Sequence, residues 1–183
     1  MDDAAQTVVL GLGNILMKDD GAGVVTVDRL RRGYEVPPEV AVLDGGTLGL
    51  FLLPYVERAE HLILVDAVRA DGKAPGTRVR LTGAEVPSAV ATRLSPHQVG
   101  VADLLSGAHL IDRAPQTLVL LGVVPGEVNL DTGRTPPVEA AIDGLVEAVV
   151  SELAALGFEP RRRDRALAPD PLTWRTYAAG RPR

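Results

Sequence analysis

Three side chains in this sequence have the types and positions for metal chemistry: Asp20, Asp66 and His97. Asp20 lies in GLGNILMKDDGAG, Gly11 to Gly23. That stretch stands between a short apolar run (Thr7, Val8, Val9, Leu10) and Val24, Val25, Val27 and Leu30 at helical spacing. The order reads strand, glycine loop, helix, and such a turn falls at the carboxyl edge of an α/β sheet, where ligands bind. Asp66 directly follows the aliphatic run Leu62 to Val65, so it leaves the sheet at the same edge. His97 follows Ser95-Pro96 and opens a helix. Two carboxylates and one imidazole suit Zn²⁺ or another first-row divalent ion, with positions left for water or substrate.

Each residue also has a plainer reading. Asp19 or Asp20 is placed to cap the following helix, because aspartate accepts hydrogen bonds from the first free N–H groups. Asp66 fits an ordinary strand-end turn and His97 an exposed helix start. His61 and His109 border apolar runs and read as structural.

Other chemistries fit less well. A dinucleotide fingerprint needs a third glycine three positions after the second, and Leu16 stands there. Asp19 and Asp20 then occupy the place where a pyrophosphate would meet a helix N-terminus, and two negative charges repel a phosphate. Asp44, ending the second strand, imitates a ribose-binding acid, so a dinucleotide-binding oxidoreductase stays as an alternative. Gly-Lys-Ser/Thr and G-x-S-x-G are both absent, which removes the P-loop and the serine elbow. Asp131-Thr132-Gly133 matches the aspartic-protease triplet, but a single copy in an α/β pattern does not make that dyad.

The remaining sequence supplies the elements that position these groups. Val8–Leu10, Val40–Leu43, Leu62–Val65 and Thr117–Val124 read as strands, and Gly76–Leu81 as an edge or hairpin strand. Ala22–Arg32, closed by Gly33, reads as a helix, as do Leu48–Val56 and His97–Gly107. The longest helix is Pro136–Leu156, with the stripe Val138, Ala141, Ile142, Leu145, Val149 and Leu153. Strands alternating with helices predict one α/β domain over residues 1–159. Its sheet is twisted, mainly parallel, of about five strands, with helices on both faces. Residues 160–183 form an Arg/Pro-rich tail with seven of the 19 basic residues, a composition that predicts a solvated, partly disordered segment.

At 183 residues the chain is long enough for a sizeable core. A net charge of −5 argues against a nucleic-acid partner. The sequence contains no cysteine, so thiolate nucleophiles, disulfides and cysteine metal sites are excluded. The first six residues do not form a secretory signal, and no apolar run reaches the ~20 residues needed to span a bilayer. The expectation is a cytoplasmic protein without membrane insertion.

Five motifs in order carry a family resemblance: GLGNILMKDDGAG, LDGGTLG (Leu43 to Gly49), HLILVDAV (His61 to Val68), APGT (Ala74 to Thr77) and SPHQVGVADLL (Ser95 to Leu105). Together they resemble the [NiFe]-hydrogenase maturation endopeptidases over about Thr7 to Leu156. The resemblance implies an endopeptidase that removes the C-terminal extension of a hydrogenase large-subunit precursor after nickel insertion. It implies that Asp20, Asp66 and His97 recognise the nickel and carry the catalysis, and that Asp44, Gly45, Gly46 and Thr47 help bind the substrate. The first acid is glutamate in some relatives and aspartate in others. The partner is the precursor, which supplies the nickel; Zn or Cd would substitute in vitro, and no other cofactor is expected. Ligation needs neutral His97, so binding should weaken as pH falls through the range where imidazole protonates. A non-catalytic metal-sensing or chaperone protein using the same three ligands is the rival reading.

Overall fold

The aliphatic runs build the sheet. The computed structural model describes residues 7–91 and 96–169, with the side chains of 91–99 outside the description. Its elements are β1 (Thr7–Leu12), α1 (Ala22–Gly33), β2 (Tyr34–Glu35), β3 (Val40–Gly46), α2 (Leu53–Val56), β4 (His61–Ala67), β5 (Arg78–Thr82), α3 (Glu85–Ala91), α4 (Pro96–Leu110), β6 (Thr117–Val123), α5 (Pro136–Ala155) and β7 (Arg161–Arg162). Short 3₁₀ turns at Lys18–Gly21 and Gly49–Leu52 lead into α1 and α2.

Five strands form one sheet in the order β3-β1-β4-β6-β5. β1 runs parallel to β3 and β4, and β4 parallel to β6; only β5 is antiparallel, on the edge beside β6. This is the α/β architecture expected from the alternating pattern. The central strand β4 shows why its sequence does not alternate. Leu62, Leu64 and Val68 enter a core with α2, α3 and α4, whereas Ile63 and Val65 enter a second core with α1 and α5. A strand covered on both faces is apolar at every position.

Two elements depart from the sequence pattern. Leu48–Val56 is not one helix but a 3₁₀ turn followed by the single-turn α2. Gly49 sits at φ +53° and Pro54 lacks the N–H that a longer helix would use. The helix α3 has no sequence signal: Pro87 lies inside it, and among its described side chains only Val86 and Val90 are buried. In α5 the predicted stripe is buried at Val138, Ile142, Leu145, Val149 and Leu153, with Ala141 half-buried against the same core.

The first residues of the basic tail are docked. Arg161 and Arg162 pair with Glu35 and Tyr34, Arg163 N–H donates to the Gly33 carbonyl (2.8 Å), and Leu167 N–H donates to the Arg32 carbonyl (2.9 Å). The rest of the tail, 170–183, lies outside the described residues. Among the described residues no helix is long and apolar enough to cross a membrane.

An ion-pair cluster joins α1 to α5. Arg29 contacts Glu139 and Asp143, and Arg134 contacts Glu139 (2.5 Å). Partial burial pushes the Glu139 carboxyl up, but the Arg134 and Arg29 guanidiniums outweigh it and hold the group below its ordinary value. A depressed carboxylate stabilises the fold above its unfolded pKa, and that stability is lost as pH falls through the folded one. Because Glu139 is part-exposed, its share is below about 1 kcal/mol. The urea midpoint of Glu139→Gln should therefore trail the parent protein at neutral pH and converge with it as pH falls through the acid side of the carboxylate range. Parallel curves down to the most acid pH would remove this role.

Candidate functional site

The first loop is folded tightly at the carboxyl edge. Gly13 has φ +116°, a region that disfavours side chains, and a Cβ there would lie 1.8 Å from the Asp20 carbonyl oxygen. Its N–H donates to the Gly46 carbonyl at 3.0 Å, joining the ends of β1 and β3. Gly23, in the first turn of α1, rests on the sheet itself: a Cβ there would lie 2.0 Å from the Val65 carbonyl oxygen and 2.5 Å from that of Leu12. This is the close helix–strand packing that the third glycine supplies in a dinucleotide fold. Here the seat of the helix is displaced along the chain to Gly23. The acidic 3₁₀ turn Lys18–Gly21 fills the space between strand and helix.

Asp20 and Asp66 are both fully buried, at 0% exposure. Asp20 Oδ2 accepts the Asn14 N–H at 2.8 Å, which turns the carboxylate back across its own loop. Asp66 lies opposite Gly122 on β6, and its Oδ1 accepts the Ala67 N–H at 2.8 Å. By strand alternation Asp66 shares the face of Leu62, Leu64 and Val68, towards α2, α3 and α4. The contact of Gly23 with Val65 brings the backbone just after Asp20 against the backbone just before Asp66.

His97 lies in the first turn of α4. Its side chain is outside the described residues, but the backbone of its helix is placed. Gly100 approaches Gly49 so closely that a Cβ on Gly100 would lie 2.9 Å from the Gly49 Cα. The start of α4, one turn after Pro96, therefore stands beside the chain leaving β3, on the sheet face that Asp66 shares. Among the described residues no three His, Cys, Asp or Glu side chains form a metal-holding group.

The 44–47 segment lies at the same edge but is divided between faces. Asp44 is opposite Gly11, whose Cβ would meet Val27 of α1, so Asp44 stands on the α1 side. Loss of hydration pushes its carboxyl above the ordinary value, opposed by the Gly46 N–H and Arg31 and reinforced by Asp28. With the residue open to solvent, this shift carries little energy. Gly45 is on the opposite side, against Leu12 and Leu52. Beyond Thr47 comes an exposed apolar strip of Leu48, Leu50, Phe51 and Tyr55, with Phe51 at 83% exposure.

Asp19 does something the sequence did not signal. It caps neither the 3₁₀ turn nor α1. Instead, fully buried, it accepts N–H bonds from Gly126 (2.8 Å), Glu127 (3.0 Å) and Thr135 (2.6 Å), and the Thr135 hydroxyl (2.7 Å). These partners are 107 to 116 residues away and three of the donors are main-chain groups, so no local motif marks them. Asp131 of the protease-like triplet belongs to the same segment and pairs with Met17. His61 begins β4 at the amino edge and His109 is exposed in the last turn of α4, both away from the carboxyl-edge loops.

Residues 24–152 match the family model described as hydrogenase maturation protease. The hydrogenase 2 maturation protease of Escherichia coli is 41% identical over 157 residues, covering 86% of this chain and 96% of that one. The hydrogenase expression/formation protein HupD of Rhodobacter capsulatus is 38% identical over 183 residues, covering 97% and 86%. Among solved structures, the hydrogenase maturating endopeptidase HybD from E. coli superposes with a TM-score of 0.83 at 40% identity, over 86% of this chain and 98% of that one. By sequence and by fold, the chain belongs to the hydrogenase maturation protease family.

Proposed function

We propose that this protein hydrolyses one peptide bond in the precursor of a [NiFe]-hydrogenase large subunit, removing a C-terminal extension after nickel has been inserted. Asp20, Asp66 and His97 recognise that nickel. The observation carrying this reading is the pair of fully buried carboxylates at the carboxyl edge of a family-matched fold, on backbones held together by the Gly23–Val65 contact. Carboxylate oxygens and imidazole nitrogen are competent donors for a first-row divalent ion.

The nickel arrives with the substrate. Docking brings it against an incomplete donor set, and completion of its coordination sphere reports that the precursor is loaded. Held there, the ion would supply Lewis acidity towards the scissile carbonyl or a water molecule. The hydrolysis itself adds water across the C–N bond: hydroxide forms the new carboxylate and the departing amine takes the proton. With no cysteine in the chain, this protein supplies no thiolate to the attack. The exposed strip of Leu48, Leu50, Phe51 and Tyr55 supports precursor docking beside the site, since grouped apolar surface of this kind marks an interaction face.

Incubation with nickel-loaded and nickel-free precursor tests the proposal. Only the loaded form should shorten, and His97→Ala should lower kcat/KM on it by about 10²-fold or more. Binding without shortening would favour the metal-sensing or chaperone reading. Equal cleavage of both precursors would remove the nickel checkpoint.

A further inference from the structure

We propose that Asp19 is a positioning residue for this reaction: its buried carboxylate clamps residues 126–135 onto the loop that carries Asp20. The inference rests on the function proposed above and assigns Asp19 no contact with substrate or metal. An ionised carboxylate offers about four lone-pair sites. Asp19 meets four donors: Gly126 N–H, Glu127 N–H and the Thr135 hydroxyl reach Oδ2, and Thr135 N–H reaches Oδ1. The fully buried carboxylate is thus turned towards residues 126–135, although it adjoins Asp20.

The two segments meet along their length. Lys18 N–H donates to the Asp131 carbonyl (2.9 Å), Asp131 N–H to the Leu16 carbonyl (3.0 Å), and Asp19 N–H to the Glu127 carbonyl (3.2 Å). The Lys18 ammonium lies 2.5 Å from Glu127 and 3.7 Å from Asp131. Lys18 is held at φ +52°, a conformation that costs a non-glycine residue energy and persists only where its surroundings over-determine it. Thr135 precedes α5 with extended backbone, the position from which threonine commonly caps a helix. Its hydroxyl forgoes that bond and goes to Asp19 instead. The local rule is broken in favour of the clamp.

The consequence falls on the next residue. Asp20 is fixed on one side by the Asn14 N–H and on the other by the backbone that Asp19 anchors. Released from Asp19, the 18–21 turn would relax and carry the Asp20 carboxylate with it. The exposed strip around Phe51 is on a different segment and would be unaffected. Docking through that strip persists, so the larger loss falls on kcat, with a smaller rise in KM from the weakened contact to the nickel.

Asp19→Asn replaces one acceptor oxygen with an NH₂ group facing N–H donors. Its kcat on nickel-loaded precursor should fall about 10–100-fold, with KM within about threefold, as for outer-shell partners of metal sites. Hydrogen exchange at the amides of Gly126, Glu127 and Thr135 should accelerate about tenfold or more as their acceptor is lost. Thr135→Val, which deletes the hydroxyl, should show a smaller loss in the same direction, and Thr135→Ser should restore it. Unchanged exchange, unchanged kcat in a folded Asp19→Asn protein, or a loss confined to KM would overturn the clamp. If Asp19→Asn does not fold, the Thr135 pair decides, and equal kcat for Val and Ser would overturn it. Failure of the parent protein to cut the loaded precursor would instead overturn the function, while amide exchange still reads the clamp.

Discussion

Asp66→Asn and Asp20→Asn should each lower kcat/KM on nickel-loaded precursor by about 10²-fold or more, at or above the 10–100-fold typical of losing a partner outside a metal's ligand shell, because these carboxylates are proposed to meet the ion directly. Both changes keep the side-chain volume and replace a carboxylate oxygen with an amide nitrogen. At Asp66 the surroundings cannot easily rearrange to hide the effect. The residue is fully buried, and the β4–β6 register runs unbroken from His61 opposite Thr117 to Ala67 opposite Val123. At Asp20 the amide can still accept the Asn14 N–H through its one oxygen, but its NH₂ then stands in place of the second carboxylate oxygen. Cleavage is read by the mobility of the precursor on a gel, with a thermal melt as the check on folding. A folded Asp66→Asn protein that cuts at the parent rate would remove Asp66 from the reaction.

The main frame was legible because physical pattern and chain order agree. Leu62 to Val65 announces a strand buried on both faces, the stripe from Val138 to Leu153 announces a helix over a core, and alternation of the two announces a parallel sheet. The same logic sets both carboxylates at the carboxyl edge, Asp20 in the glycine loop and Asp66 at the strand's end, where β4 runs one residue beyond it opposite β6. What stayed hidden depends on distance or on the main chain. Asp19 read as a cap because aspartate before a helix commonly is one, yet its partners come from residues 126–135. The pairing of Tyr34 and Glu35 with Arg162 and Arg161 is too short to leave a periodic trace. The 48–56 segment has helical composition, but Gly49 at φ +53° and Pro54 divide it. The absent third glycine counts against a dinucleotide site, and Gly23 meets its packing role further along the chain.

Gly23→Ala gives the strongest structural test of that displaced seat. A methyl group is ordinarily welcome in a helix, where alanine exceeds glycine by about 1 kcal/mol. At Gly23 it would lie 2.0 Å from the Val65 carbonyl oxygen, 2.5 Å from the Leu12 carbonyl oxygen and 2.8 Å from the Leu12 nitrogen. All three are backbone atoms of hydrogen-bonded central strands, so none can swing aside as a side-chain tip would. The first turn of α1 must lift instead, at a cost of about 3 kcal/mol. Because Asp20 lies three residues before Gly23, the lift also displaces a carboxylate of the proposed site, and cleavage of loaded precursor should fall together with stability. Gly33→Ala, at the last residue of the same helix, meets nothing within 4 Å and should raise stability by about 0.5 kcal/mol through the unfolded chain. Urea midpoints of the two variants should therefore move in opposite directions from the parent. If Gly23→Ala unfolds at the parent midpoint and still cuts, the close seating of α1 on β1 and β4 does not hold Asp20 in place.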